Sequence, residues 1–202
     1  ILYAAQMGYE AGMRTVINCS WGGNQYNEYE QSVINVAYNY GAIIVAAAGN
    51  GVEDSNEEEY APHYPSSYNN VVSVSPVKCS GEWGKWATYH PTVDIAAPGE
   101  NIYSTLINAD ETVRYGNLTG SSMASPNVAS GIGLIWSFYD DWSNDQIVNQ
   151  VLNTADPMIY EDNLLWDNEK YKECNGNEGT NCLGVGLLNV EKAIGSRFSP
   201  NI

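Results

Sequence analysis

Gly120-Ser121-Ser122-Met123-Ala124-Ser125-Pro126 places a serine where a glycine turn enters a long apolar stretch. A hydroxyl in that position is exposed, the amides of the first turn point outward, and an oxyanion forming there meets the positive end of a helix. Gly-Ser-Ser taken alone is equally served by an N-capping serine. Two further stretches give it chemical meaning. Ala46-Ala47-Ala48-Gly49-Asn50-Gly51 reads as a buried strand ending in Gly-Asn, so that an amide projects from the carboxyl edge of a sheet, where open α/β folds bind ligands. Asn18-Cys19-Ser20-Trp21-Gly22-Gly23 offers extended backbone beside glycines that leave room for a peptide. A strand end, an amide donor and a serine at a helix start are the parts of an acyl-transfer site.

The elements that must position these residues follow from spacing. Residues 1–13 look like a helix in progress, with Leu2, Ala5, Tyr9 and Gly12 three or four apart and no capping residue before them. Thr15 to Cys19 reads as a buried strand, residues 30–40 as a helix closed by Gly41, and Ala42 to Ala47 as a second strand, which together make a parallel crossover unit. Val71 to Ser75 supplies another strand, and Val93 to Ala97 and Ile102 to Thr105 supply shorter extended pieces around Pro98-Gly99. Ser122 to about Tyr139 suits a helix buried in mid-domain, and Ser143 with Gln146 makes a capping box ahead of an amphipathic surface helix. The class is α/β: a parallel sheet with helices on both faces.

Composition narrows the function classes. The chain has 202 residues, enough for one sizeable core, and 8 Lys+Arg against 24 Asp+Glu give a net charge of −16. That excess repels nucleic-acid phosphates and anionic lipid headgroups, and no apolar run approaches the roughly 20 residues needed to span a bilayer. No nucleic-acid or membrane partner is expected. The acidic run Glu53 to Glu59 reads as a solvated loop. Cys174 and Cys182 flank a polar loop and are expected to pair, which points to a secreted or otherwise extracytoplasmic protein, while Cys19 and Cys79 read as buried free thiols. Asn18-Cys19-Ser20 and Asn117-Leu118-Thr119 satisfy the glycosylation pattern, but the first reads as a buried strand and the second lies beside Ser122, so neither is expected to carry sugar.

In sequence and order, Ser20-Trp-Gly-Gly, Ala46-Ala-Ala-Gly-Asn50, Tyr64-Pro65, Ala97-Pro98-Gly99, Gly120-Ser-Ser122-Met-Ala-Ser-Pro126 and Gly186-Leu-Leu-Asn189 resemble the subtilisin-like serine proteases. The resemblance implies a serine endopeptidase with Ser122 as nucleophile and the Asn50 side chain as an oxyanion donor beside the Ser122 amide. It implies polypeptide substrates lying against Ser20, Trp21 and Gly22. Ala47 to Gly49 would form the other wall of the first pocket and His63 its floor, where many relatives have glycine. Broad apolar preference is the family's habit; the alternative is a shallow pocket that His63 closes to large aromatic side chains, with the acidic rim favouring Lys or Arg. No cofactor is needed for the chemistry; a structural calcium would use Ser66, Tyr68 and Asp94, oxygen donors suited to a hard cation. Met123 matches the family's oxidisable residue, and Asn127 stands where the family commonly has histidine.

The family's order is Asp, His, then Ser, and neither His63 nor His90 sits in its histidine motif. Residues 1–202 therefore read as the C-terminal portion of one subtilisin-like peptidase domain, incomplete at the N-terminus. A nicked or split protease, a truncated one, and a degenerate domain that binds extended peptides without cleaving them all match this pattern. The partner implied by the first two is the N-terminal fragment of the same domain, carrying Asp and His.

Overall fold

A computed structural model describes residues 1–51, 61–82, 86–157 and 182–195. Its centre is a parallel sheet in the order β1-β2-β3-β4, formed by Val16–Cys19, Ile43–Ala47, Val71–Val77 and Ile95–Pro98. β2 and β3 are buried along their whole length, and their sequences are accordingly apolar runs rather than alternating patterns. Side chains nevertheless divide by period two. Ile43, Val45, Val72, Val74, Ile95 and Ala97 pack on one face against Ala124, Val128, Ile132 and Ile135. Ile44, Ala46 and Val71 pack on the other against Ala5, Ile34 and Ala37.

The second face is covered by α1 (Leu2–Glu10) and α2 (Glu28–Asn39). Asn27 caps α2, its side chain accepting from the amides of Tyr29 and Glu30, so the helix starts two residues earlier than its apolar spacing suggests. The first face holds α3 (Ser121–Phe138), α4 (Asn144–Asn153) and α5 (Val190–Gly195). The capping box of Ser143 and Gln146 is present as expected.

Two features depart from the sequence reading. Ile102–Ile107 (β5) is one arm of an antiparallel hairpin whose second arm, β6 (Val113–Leu118), the apolar pattern did not reveal. Both arms are largely exposed, so no buried face imposes a strong alternation; the usable signals were Val113 and Tyr115 two apart and the Asn108 to Glu111 turn. α3 is less enclosed than expected, with Leu134 and Phe138 about half exposed. The edges of the sheet also differ. β4 is covered by residues 186–188, which exchange backbone bonds with Ala96, whereas the outer edge of β1 has no strand partner among the described residues.

Candidate active site

Parallel strands deliver their carboxyl ends to one edge, and the N-terminus of α3 meets the sheet at that edge. Ser20 follows β1, Asn50 follows β2, and Ser122 lies in the first turn of α3. Pro126 sits inside α3. It has no N–H, so the carbonyl four residues back, that of Ser122, lacks its helical donor. Ser20 Oγ takes that place, donating to the Ser122 carbonyl at 2.8 Å, and Ser122 Oγ donates in return to the Ser20 carbonyl at 3.1 Å. Asn18 braces the pair: its Nδ2 donates to Ser20 Oγ at 2.9 Å and its Oδ1 accepts from Ser125 Oγ at 2.7 Å. Asn18 is thus an exposed residue tied at both ends of its amide, not the buried strand residue expected.

This arrangement makes a prediction about stability. Ser20→Ala is expected to cost about 1 kcal/mol, the net worth of one hydrogen bond. Pro126→Ala restores an N–H to the Ser122 carbonyl, so the double variant should lose less than the sum of the single changes. A double-mutant cycle by urea unfolding reads that coupling.

The first turn of α3 also fixes the electrostatics. Of its four amides, Ser121 N–H donates to Asn50 Oδ1 at 2.9 Å, and Met123 and Ala124 close back on the Gly120 carbonyl. Ser122 N–H has no partner among the described residues, which leaves it as the helix donor available to an anion. Ser121 Oγ donates to Asn50 Oδ1 as well, at 2.9 Å, and accepts from Gly49 N–H. With its carbonyl end held twice by Ser121, the Asn50 side chain is fixed next to the first turn of α3, and Nδ2 is its donor end. Thr88 steadies the same turn, accepting from Gly51 N–H at 3.1 Å through its hydroxyl and donating its own N–H to the Gly49 carbonyl. The sequence reading had no role for Ser121 or Thr88; a Ser-Ser pair at the helix start was the only hint.

His63 is buried, and its Nδ1 donates to the Ala47 carbonyl at 3.1 Å. The ring lies between two glycines. A Cβ on Gly22 would come within 2.3 Å of His63 Cε1, and one on Gly49, whose φ is +108°, within 3.2 Å of Cγ and Cδ2. The segments 20–22 and 47–49 therefore stand as walls on either side of the imidazole, with Trp21 exposed beside them. Asn127 Nδ2 donates to the Pro98 carbonyl at 2.8 Å and ties α3 to the end of β4.

The residues expected to hold calcium lie away from Ser122. Asp94 precedes β4, at the opposite edge of the sheet, and its carboxylate accepts from Ser73 N–H at 2.8 Å. Burial pushes its carboxyl up to about 6, against the pull of that hydrogen bond. Ser66 Oγ is turned to the His63 carbonyl, and the Tyr68 hydroxyl donates to Glu30. What remains for a cation is two backbone carbonyls and one carboxylate: oxygen chemistry, but no acidic cage. Among the described residues no group of three or more His, Cys, Asp or Glu is placed to hold a metal.

Cys19 is buried as expected, and desolvation pushes its thiol up to about 11, which makes it an inert core residue. Cys79 is exposed, a correction: it falls in the turn after β3, beyond the end of the buried strand. Cys182 is buried against Ala87 and Tyr89, while Cys174 and the acidic run Glu53 to Glu59 lie outside the described residues.

Comparison with known proteins bears on the family and the fold. The model of the subtilase family matches residues 2–186. Thermitase of Thermoactinomyces vulgaris is 39% identical over 158 residues, covering 78% of this chain and 50% of thermitase. Subtilisin DY of Bacillus licheniformis is 31% identical over 193 residues, covering 96% of this chain and 60% of that protein. Among solved structures, a protease from Pseudoalteromonas arctica superposes with a TM-score of 0.71 at 26% identity, covering 89% of this chain and 50% of that one. The chain spans about half the length of the relatives it matches.

Proposed function

The chain belongs to the subtilase family, and on that premise we propose that it carries the nucleophile and oxyanion half of a serine endopeptidase site. Ser122 Oγ attacks the carbonyl carbon of a peptide bond, and the electron pair displaced onto the oxygen is received by Ser122 N–H and Asn50 Nδ2. The serine proton passes to a histidine supplied by a preceding segment and then to the leaving amine. Water releases the acyl group by the same steps in reverse. The observation that carries this reading is a Ser122 amide with no partner among the described residues, in the helix turn whose Ser121 pins the carbonyl end of Asn50.

The proposal that a partner segment completes the site has its own support. A parallel strand left at an edge presents unpaired backbone groups that invite a further strand, and β1 is such a strand among the described residues. Beside Ser122, a cleft of about 350 Å³ opens between β5 and α3, lined by Tyr103, Thr105, Met123, Pro126 and Asn127 among others. A histidine side chain from a preceding segment has room there.

A second reading, a domain that binds extended peptides without cutting them, is favoured by the engagement of both histidines elsewhere: His63 on Ala47 and His90 on Thr92. Covalent labelling separates the two. With the preceding segment present, a serine-directed phosphonate is expected to modify Ser122, and Ser122→Ala to abolish the label. Modification at another residue, or none, would leave the binding reading. The catalytic proposal needs no cofactor; a calcium ion on the Ser66 and Tyr68 carbonyls with Asp94 would act on stability alone. Extracytoplasmic location belongs to the same proposal and rests on the expected Cys174–Cys182 disulfide. Among the described residues no helix is long and apolar enough to cross a membrane.

A further inference from the structure

We propose that Asn18 is a positioning residue for the nucleophile: its side-chain amide fixes the direction in which Ser20 gives its hydroxyl proton, and through Ser20 it holds Ser122 in place. The inference rests on Ser122 being the nucleophile and goes beyond that reading to a residue that does not itself bond Ser122.

The direction of each proton in the network follows from Pro126. A carbonyl can only accept, and Pro126 has no N–H to offer the Ser122 carbonyl. Ser20 Oγ donates to it at 2.8 Å. A hydroxyl has one proton, so Ser20 Oγ can serve its other neighbour only as an acceptor. That neighbour is Asn18, which has to turn Nδ2 toward Ser20, at 2.9 Å, and so presents Oδ1 to α3. Oδ1 accepts in turn from Ser125 Oγ at 2.7 Å. Ser125 is fully buried, and where a serine inside a helix can return its proton to the carbonyl one turn back, this one gives it to Asn18. The chain of donors therefore runs one way, from Ser125 to Asn18 to Ser20 to the Ser122 carbonyl. Reversing any member would leave that carbonyl without a donor.

Asn18 is well placed to impose this order. It lies within β1, in register with Val45 of the parallel sheet, two residues from Val16, which packs on the α3 side. It reaches α3 at Ser125 directly and at Ser122 through Ser20, two positions three residues apart and so on one side of the helix. Ser122 Oγ rests on the Ser20 carbonyl at 3.1 Å, so both the carbonyl and the hydroxyl of Ser122 depend on where Ser20 sits. The bridge needs a donor at one end and an acceptor at the other, which an asparagine amide supplies. A carboxylate has the same shape but no donor. It would draw the Ser20 proton to itself and turn the lone pairs of Ser20 Oγ against the Ser122 carbonyl.

The test uses the protease with its preceding segment present, read by kcat and KM on one peptide and by the rate of phosphonate labelling at Ser122. Asn18→Ala is expected to lower kcat and the labelling rate on the order of tenfold, with KM little changed, as one hydrogen bond is lost. Asn18→Asp should lower them on the order of a hundredfold, because it also displaces Ser122. A brace that worked by shape alone would rank the two the other way, since Asp is nearly isosteric with Asn. In a Ser20→Ala background, which removes the hydroxyl that relays the effect, the Asp and Ala variants should agree within about twofold. Asn18→Asp as active as Asn18→Ala would overturn the proposal. So would a gap between them that persists without the Ser20 hydroxyl, which would mean that the carboxylate acts on Ser122 directly. Asn18 is exposed, so its variants are expected to fold. If Asn18→Asp does not, Asn18→Leu keeps the shape without either polar end: it should lose as much as Asn18→Ala, and wild-type rates in it would count equally against the proposal. Failure of the catalytic reading looks different, because then no phosphonate labels Ser122 even in the wild type.

Discussion

Residues 1–202 alone should hydrolyse a peptide on the order of a million-fold more slowly than the same chain joined to a segment that brings a strand ending in Asp and a helix starting with His. That size is the loss in kcat on removing the histidine of subtilisin, a relative of this chain, and is carried over from it. The reason is visible at Ser122. Its hydroxyl donates to the Ser20 carbonyl, an acceptor that holds the hydroxyl but takes no proton from it, and an unactivated serine is a weak nucleophile. Neither histidine bonds Ser122: His63 donates to Ala47 between the two glycine walls, and His90 pairs with Thr92 in the turn before β4. On the proposed reading the preceding segment seats on the outer edge of β1, which has no strand partner among the described residues and where Val16 and Ile17 are only half-buried. The measurement is kcat/KM for the chain alone, with the segment added in trans, and fused to it, each against Ser122→Ala as the baseline. A lone chain within a hundredfold of the fused form would show that the base resides in these 202 residues and would redirect attention to His63 and His90.

How much of this was legible beforehand depends on where each residue's constraint comes from. The buried parallel strands and α3 follow from apolar runs bounded by glycine and small residues, because a sheet covered on both faces writes its burial directly into the sequence. Ser122 and Asn50 were legible for a related reason: each stands where such a run breaks off in Gly-Ser or Gly-Asn, and the sheet topology makes those ends neighbours. His63 was placed between its walls by resemblance, but its fit against Gly22 and Gly49 is a property of three segments far apart in sequence. β6 was missed because an exposed hairpin imposes little pattern on its residues. Asn18 was read as buried because it falls in an apolar strand run, whereas it is exposed and joins Ser20 to Ser125, and local spacing carries no trace of a partner 107 residues away. The vacancy that Pro126 leaves on the Ser122 carbonyl is derivable from sequence alone once the helix is granted. That Ser20 fills it is not, since it depends on β1 ending against α3.

Asn50 is where the second large effect is expected. Asn50→Ala or Asn50→Leu should lower kcat by a factor on the order of 10²–10³, the loss that removing such a donor causes in subtilisin, a relative of this chain, with KM little changed. Differential binding explains the split. A planar substrate carbonyl leaves its oxygen short of the donors, and only when the carbon becomes tetrahedral does the oxygen, now charged, meet Ser122 N–H and Nδ2, so the bond forms in the transition state and not before. The side chain is well prepared for this because Ser121 N–H and Ser121 Oγ both hold Oδ1 at 2.9 Å, and no reorganisation is needed as charge develops. Asn50→Asp is the sharper probe. A carboxylate keeps the two acceptor bonds to Ser121 but turns the donor into a negative charge facing the oxyanion, so at pH above its titration it should be slower than Asn50→Ala. If the Ala and Leu variants instead showed a raised KM at unchanged kcat, Asn50 would hold the ground-state substrate. An Asp variant as active as wild type would mean that the oxyanion lies elsewhere, with the Ser122 amide and α3 alone facing it.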